Sequence, residues 1–447
     1  MANQMDAEIS KIQKQIRSAF RLDVICDPQY INGRSYILFF GKTVQNLEEE
    51  GTIHFLGSKI NDTRYVTSKI IFDGFIEIIL NRYNVSPLKI KSINVDWSGP
   101  TANTENGFGG LYNKYSIEKC GVKPMIFRCL QHQIGSGVTT SVLFKKIEEI
   151  KKKLNEIIKK HETEIFLFHV KHNEYDFTPL FRYNCERPIM NIEGSERLKR
   201  NLSGIIDFLN EIHEKEITNK NQTAINKIAE IINDLKTDEF QENLSFMIKA
   251  IKCLYEAFNN IPHEKIFFNA IKIYLKAIQS LKIMLNELEN DNTCFGKNGC
   301  LFKNELRYFI DKFQNQRNLN KIPWIKNFRI INVALNGAIS NSHIEQLIDS
   351  PTLKEEIIQL RANENLFRSC VSASSIQNVL KELEQYSFPQ LKEMIKNLIW
   401  PISDASIIDK FFTVLLTKSR YVSMKPYEEE DIWRLFIEED AKNKKLD

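Results

Sequence analysis

The 447-residue chain lacks any run of 18 uninterrupted apolar residues, and even a long stretch such as IIFDGFIEIIL carries acids. A membrane-spanning helix needs about 20 predominantly apolar residues, so none is predicted and a soluble chain is expected. The opening MANQMDAEISKIQKQIRSAF has no apolar core of the kind a secretory signal peptide carries. Net charge is small: 61 Lys and Arg against 57 Asp and Glu leave +4. No dominant field toward nucleic acid or a membrane surface follows from that balance. The eight cysteines (Cys26, Cys120, Cys129, Cys185, Cys253, Cys294, Cys300 and Cys370) are scattered. Such spacing fits a chain folded in a reducing compartment, not a small disulfide scaffold. With 43% apolar and 26% charged residues, the composition is that of a globular protein. The length suits two or three domains at about 150 residues each.

Glycine is the next scarcity. Twelve of 17 glycines fall in residues 1–137, leaving five for the other 310. Turn-rich chain with short apolar runs therefore gives way to long helical periodicity. LDVIC, SYILFFG and TIHFLG read as strands, short apolar runs bounded by Gly, Asn or Asp. TSKIIFDGFIEIILNRY reads as a helix capped by Thr67 or Ser68. KIKSINVDW and PMIFRCLQH follow as strands, TTSVLFKKIEEIKKKLNEIIKKH as a helix and EIFLFHV as a strand. From about Ser195 the period becomes 3.6. Ile205, Phe208, Leu209 and Ile212 share a face, as do Ile225, Ile228, Ile232 and Leu235, and then Ile248, Ile251, Leu254, Tyr255 and Phe258. The expected fold is α+β: an α/β domain with a small mixed sheet over residues 1–190, then an all-α domain over 191–447. A further division of the helical part is placed near 290–300, at DNTCFGKNG.

The richest stretch for chemistry is PMIFRCLQHQIGSGVTTSVLF. A strand ending at His132, a loop of Gly135, Ser136 and Gly137, and a helix starting at Thr139 or Thr140 would leave backbone N–H groups facing an anion. The hydroxyls of Ser136, Thr139 and Thr140 would add donors for a phosphate or nucleotide; no other cofactor is indicated. The same residues also make ordinary caps and tight turns, and that reading stays open. Upstream, KIKSINVDW ends at Asp96 and enters SGPTANTENGFGG. If the two strands are parallel, Asp96 and His132 share the carboxyl edge where open α/β sheets bind ligands. There they could serve as general acid and base, with Gly107, Gly109 and Gly110 admitting a ligand close to the backbone. The competing reading makes Asp96 a turn cap and His132 a satisfied buried histidine.

Asp96, with Trp97 and Pro100 nearby, followed by a strand, a glycine loop and a helix, resembles the layout of protein tyrosine phosphatases. In that family an acid loop precedes a cysteine-containing phosphate loop. Here Gln133 and Thr139 stand where the family's cysteine and arginine belong, so the resemblance implies phosphate binding without thiol chemistry. His161, His169 and His172 are not spaced as metal ligands on one strand face, and HETE and HEKE lack the second histidine of a zincin, so no metal is expected. In the helical part, Cys300 stands at the start of a helix, where the dipole favours thiolate. NGCLF resembles the nucleophile segment of ovarian-tumour-type deubiquitinases, and the resemblance implies a Cys300–His343 pair. The acid that family places shortly before the cysteine is missing, and a buried structural cysteine is the alternative. Lysines interleaved with glutamates in KKIEEIKKKLNEIIKKH read as a solvated helix face, so nucleic acid is not expected as a partner.

The chain closes with KPYEEEDIWRLFIEEDAKNKKLD, an amphipathic helix with Ile432, Leu435 and Phe436 on one side. Its acidic blocks resemble the C-terminal signal of Dot/Icm-secreted effectors of Legionella-type bacteria. That resemblance implies a bacterial cytoplasm before secretion, then host cytosol, with a host or bacterial protein as partner. Three functions are therefore expected in competition. One is an effector whose α/β domain binds a phosphate-bearing ligand or modifies a host protein. The second is a non-catalytic helical protein that grips a partner. The third is a cysteine-dependent protease using Cys300 and His343.

Overall fold

In the computed structural model the described residues are 2–31, 33–47, 49–63, 65–95, 106–172, 192–264, 266–290, 298–314, 323–336, 348–402 and 428–443. Helix α1 (Ala2–Ser18) precedes strands β1 (Arg21–Ile31), β2 (Arg34–Val44) and β3 (Thr52–Asn61). Ile31 and Arg34 pair across a two-residue connection whose Gly33 has φ +89°. Gly33 supplies the positive φ that a tight hairpin needs. Helix α2 (Ser68–Phe75) runs on into a π-helical segment, Ile76–Arg82, before β4 (Ile90–Val95). Thr67 caps α2 as expected, its hydroxyl accepting from the Ile70 amide. Helix α3 (Phe108–Cys120) leads to β5 (Met125–Arg128).

The five strands lie in the order β3-β2-β1-β4-β5. β2 is antiparallel to β1 and β3, whereas β4 is parallel to β1 and β5 to β4. Only β2 runs against the rest. Alternation then sets the two faces. Phe39 meets Phe75 of α2, and Phe75 meets Phe108 and Tyr112 of α3, on one face. On the other, Phe40 and Phe55 meet Phe436, and Phe55 meets Trp433. Both belong to the last helix, α18 (Glu429–Asn443). Trp433 is 1% exposed. Helices thus cover both faces of a mixed sheet, as the fold class requires.

Between β5 and α18 the described chain is helical: α4 (Leu130–Thr139), α5 (Val142–Lys160), α6 (Glu162–Lys171), α7 (Ile192–Arg200), α8 (Leu202–Thr218), α9 (Gln222–Lys236), α10 (Asp238–Asn260), α11 (Phe267–Asn290), α12 (Gly299–Gln314), α13 (Pro323–Ala334), α14 (Pro351–Ala362), α15 (Glu364–Ser372), α16 (Ile376–Leu383) and α17 (Pro389–Ile399). The α+β class stands, with a sheet at the N-terminal end and helices after it. The faces read from periodicity are largely the buried ones: Ile205, Phe208, Leu209 and Ile212 in α8, Ile228, Ile232 and Leu235 in α9, and Ile251, Leu254 and Phe258 in α10, while Ile225, Ile248 and Tyr255 are only half-buried.

Three expectations are corrected. The segment EIFLFHV is not a strand but most of α6. A short apolar run without flanking turn residues fits either state, and acids in its first turn favour the helix. Strand β5 stops at Arg128, so Leu130–His132 are already helical. Finally, the compact units do not part at 190/191. One unit holds Met1–His132, Asn260–Ile273 and Asn318–Asp447; the other holds Gln133–Asn259 and Tyr274–Arg317. Periodicity reports the state of an element, not the core it joins. The C-terminal helices return to the sheet's unit, and the anticipated division near 290–300 falls within the second unit.

Candidate functional site at the carboxyl edge of the sheet

Strands buried on both faces ordinarily carry apolar residues on both sides. One face of β1 does not. Arg21, Asp23, Ile25, Asp27 and Gln29 share it by alternation, and Asp23 and Asp27 are 0% and 2% exposed. Parallel pairing brings β4 alongside, with Asp23 opposite Ser92, Ile25 opposite Asn94, and Cys26 opposite Val95. Ser92 and Asn94 are also fully buried. A polar row therefore crosses two neighbouring parallel strands.

Its inner end is neutralised. Arg21 donates from Nε and Nη2 to the two oxygens of Asp23 at 2.6 and 2.7 Å, and Ser92 donates to Asp23 Oδ1. Arg21 also donates to the Lys396 carbonyl and the Asn397 side chain of α17 at 3.2 and 2.9 Å. Its guanidinium lies 5.8 Å from the Trp400 ring centre. This cluster fixes α17 over the amino end of β1.

The outer end lies at the carboxyl edge. Asp27 immediately follows Cys26, the last residue of β1 paired with β4, and Gln29 donates to its Oδ2 at 2.7 Å. Val95 is the residue paired with Cys26, and Asp96 is next in the sequence. Asp96 itself lies outside the described residues, as do Trp97 and Pro100. The expectation that the strands preceding Asp96 and His132 are parallel holds for β4 and β5. From β1 the chain turns to β2 on one side, and from β4 to β5 on the other, so β1 and β4 flank the strand-order switch where open α/β sheets bind ligands. Composition missed Asp27 because LDVIC ends the apolar run one residue earlier. The period-two spacing of Arg21, Asp23, Asp27 and Gln29 is the signal that reveals it.

Gly107 caps α3 without a side-chain partner, leaving the helix's first-turn amides at the end of the segment that leaves β4. Gly109 and Gly110 are buried in that first turn. A Cβ on Gly109 would fall 2.9 Å from Ile126 Cγ2 of β5. The glycine there admits the strand, not a ligand.

The expected loop of Gly135, Ser136 and Gly137 is the middle of α4. His132 is half-buried in the same helix's first turn. The Thr139 and Thr140 hydroxyls donate back to the Ser136 carbonyl at 3.0 and 2.9 Å. A Cβ on Gly137 would lie 2.1 Å from Phe313 Cε1. Two glycines cost a helix about 2 kcal/mol against alanine, and at Gly137 the close approach of the Phe313 ring offsets part of that. No glycine loop presents amides to an anion here.

The helix expected at Thr139 or Thr140 begins at Val142, capped by Ser141, whose hydroxyl accepts from the Phe144 amide. An anion does sit at that terminus, and the chain supplies it. Ser141 Oγ donates to Glu305 Oε2 at 2.7 Å, and the Leu143 amide to Oε1 at 3.3 Å. Glu356 does the same for α17, accepting from the Gln390 and Leu391 amides at 3.1 and 2.7 Å.

Cys300 stands at the second position of α12, as expected for a helix start, and is exposed, not buried. His343 lies outside the described residues. The acids at the start of α18 are engaged within the same unit: Glu428 pairs with Arg34 at 3.1 Å, and Glu429 takes Arg82 at 2.6 and 3.0 Å. Among the described residues no group of three or more His, Cys, Asp and Glu gathers as a metal site, and no helix is long and apolar enough to cross a membrane. No family model and no curated protein matches the chain.

Proposed function

We propose that the chain binds a phosphate-bearing ligand at the carboxyl edge of β1 and β4, through a divalent cation held by Asp27. The observation that supports this most is the polar row on a sheet face that packing alone would make apolar, ending in a buried carboxylate at the strand-order switch. A carboxylate repels a phosphate unless a cation stands between them. Mg²⁺ and Mn²⁺ sites of this kind use one or two carboxylates together with substrate phosphates. The open amides of α3 would take remaining phosphate oxygens. A cation so placed polarises a phosphoryl oxygen and lowers the pKa of a bound water, so the arrangement suits metal-assisted phosphoryl chemistry. His132, in the helix that follows β5, is the candidate acid or base of that reaction.

The test is calorimetric titration of the full chain with Mn²⁺ and then a nucleoside triphosphate. Asp27→Asn, verified as folded by circular dichroism, should lose Mn²⁺ binding by tenfold or more. Unchanged Mn²⁺ affinity in Asp27→Asn would overturn the assignment.

A second reading, a helical protein-binding region, is favoured by α6, where Phe166, Leu167 and Val170 are each 60–64% exposed. Clustered exposed apolar residues of this kind commonly mark contact surfaces. Phe166→Asp with Val170→Asp should abolish capture of a protein partner while leaving Mn²⁺ binding intact. Delivery into a host cell is proposed on the acidic segment 428–440 alone. A reporter fused to the full chain should be translocated by a Dot/Icm-competent strain and retained by a secretion-deficient one.

A further inference from the structure

The geometry points to Asn94 as a direct ligand of the bound cation, contributing its side-chain carbonyl oxygen beside Asp27; this rests on the cation reading above. Asn94 is 0% exposed, and its Nδ2 donates to the Ile402 carbonyl at 2.6 Å, which fixes the amide. No described residue donates to its Oδ1, which is itself buried. A buried carbonyl oxygen without a donor is costly, and a native structure that keeps one commonly serves a bound group.

The neighbours narrow what that group is. Alternation and the β1–β4 register place Asn94 on the face of Asp23 and Asp27, opposite Ile25 and so between the two acids. Asp23 is already held by Arg21 and Ser92. Beyond it the row continues with Asn94 Oδ1 and then the Asp27 carboxylate, which accepts from Gln29 Nε2. An amide oxygen only accepts, and phosphate oxygens near neutral pH are predominantly acceptors as well. A phosphate would therefore leave Asn94 unsatisfied, whereas a hard divalent cation takes carbonyl and carboxylate oxygens together.

Electron paramagnetic resonance titration of the full chain with Mn²⁺ alone tests the assignment. Wild type, Asp27→Asn, Asn94→Leu and Asn94→Asp are compared, with circular dichroism and thermal unfolding recorded without metal. Asn94→Leu keeps the shape and removes the oxygen, and should weaken Mn²⁺ tenfold or more. Asn94→Asp restores an oxygen and adds charge, and should bind at least as tightly as wild type. If Asn94→Leu binds like wild type while Asp27→Asn does not, Asn94 is no ligand and the cation reading survives. If wild type binds no Mn²⁺, the cation reading itself falls and Asn94 with it. Should Asn94→Leu fail to fold, Asn94→Asp decides: a tenfold loss in that folded variant would overturn the assignment.

Discussion

Glu305 offers a sharp test of how this chain handles a helix N-terminus. Its carboxylate, 7% exposed, takes the Ser141 hydroxyl at 2.7 Å and the Leu143 amide at 3.3 Å. Hydrogen bonds to a charged group contribute about 1.5–3 kcal/mol each, and burial leaves both donors without water if the acceptor goes. The longer amide contact argues for the lower end. Glu305→Ala should therefore destabilise the first turn of α5 by about 3–4 kcal/mol. Glu305→Gln keeps an acceptor oxygen but loses the charge, and should cost about 1–2 kcal/mol. Hydrogen exchange of the Leu143 and Phe144 amides reads this locally. Glu305→Ala should speed exchange on the order of 10²–10³-fold, since each 1.4 kcal/mol is a factor of ten. Acetate or formate should partly restore protection in Glu305→Ala and do nothing for Glu305→Gln. Equal exchange in the alanine and glutamine variants, or no rescue by either anion, would refute the idea that charge at this terminus matters.

Gly137→Ala should destabilise by about 1–2 kcal/mol in urea titrations, overpacking against Phe313 outweighing the gain in helix propensity. Phe313→Leu in the same chain should relieve it, and a stabilised single variant would show that the ring yields freely. Lys151 is buried in α5, donating to Glu148 Oε1 at 2.5 Å and Ser195 Oγ at 2.9 Å. Burial pushes its ammonium below the ordinary lysine range, against the pull of Glu148. Between that lowered value and the unfolded one near 10.4, the unfolded chain binds more protons, so stability should rise with pH across the window. Lys151→Met alone should cost about 3–5 kcal/mol, and Lys151→Met with Glu148→Leu far less. Equal losses in the single and double variants would contradict this, as would stability that falls with pH where the wild type is compared with the double variant.

The sheet was legible where local chemistry speaks: the short apolar runs of its first strands, Thr67 at a helix cap and the short strand before Asp96. Helical faces were legible because burial repeats at 3.6 residues. The glycine segment misled because Gly135 and Gly137 carry no mark separating a loop from a crowded helix; the ring that explains Gly137 comes from Phe313, far along the chain. Asp27 was hidden for a related reason. Its meaning depends on β4 lying parallel beside β1, and strand order is not written in either strand.

The position of α18 sets a timetable for folding. Glu429 grips Arg82 across 347 residues, and the aromatic side chains that cover Phe40 and Phe55 arrive with the same helix. At roughly 5–20 residues per second of synthesis, the first three strands wait roughly 20–70 s for the helix that closes over them. During that interval one face of a β-hairpin rich in phenylalanine stands open, while the unit built from residues 133–259 and 274–317 has already been synthesised. Long-range closure of this kind is slow even once the chain is free. The nascent sheet is therefore a natural client for a chaperone that binds aromatic strands until α18 has been made.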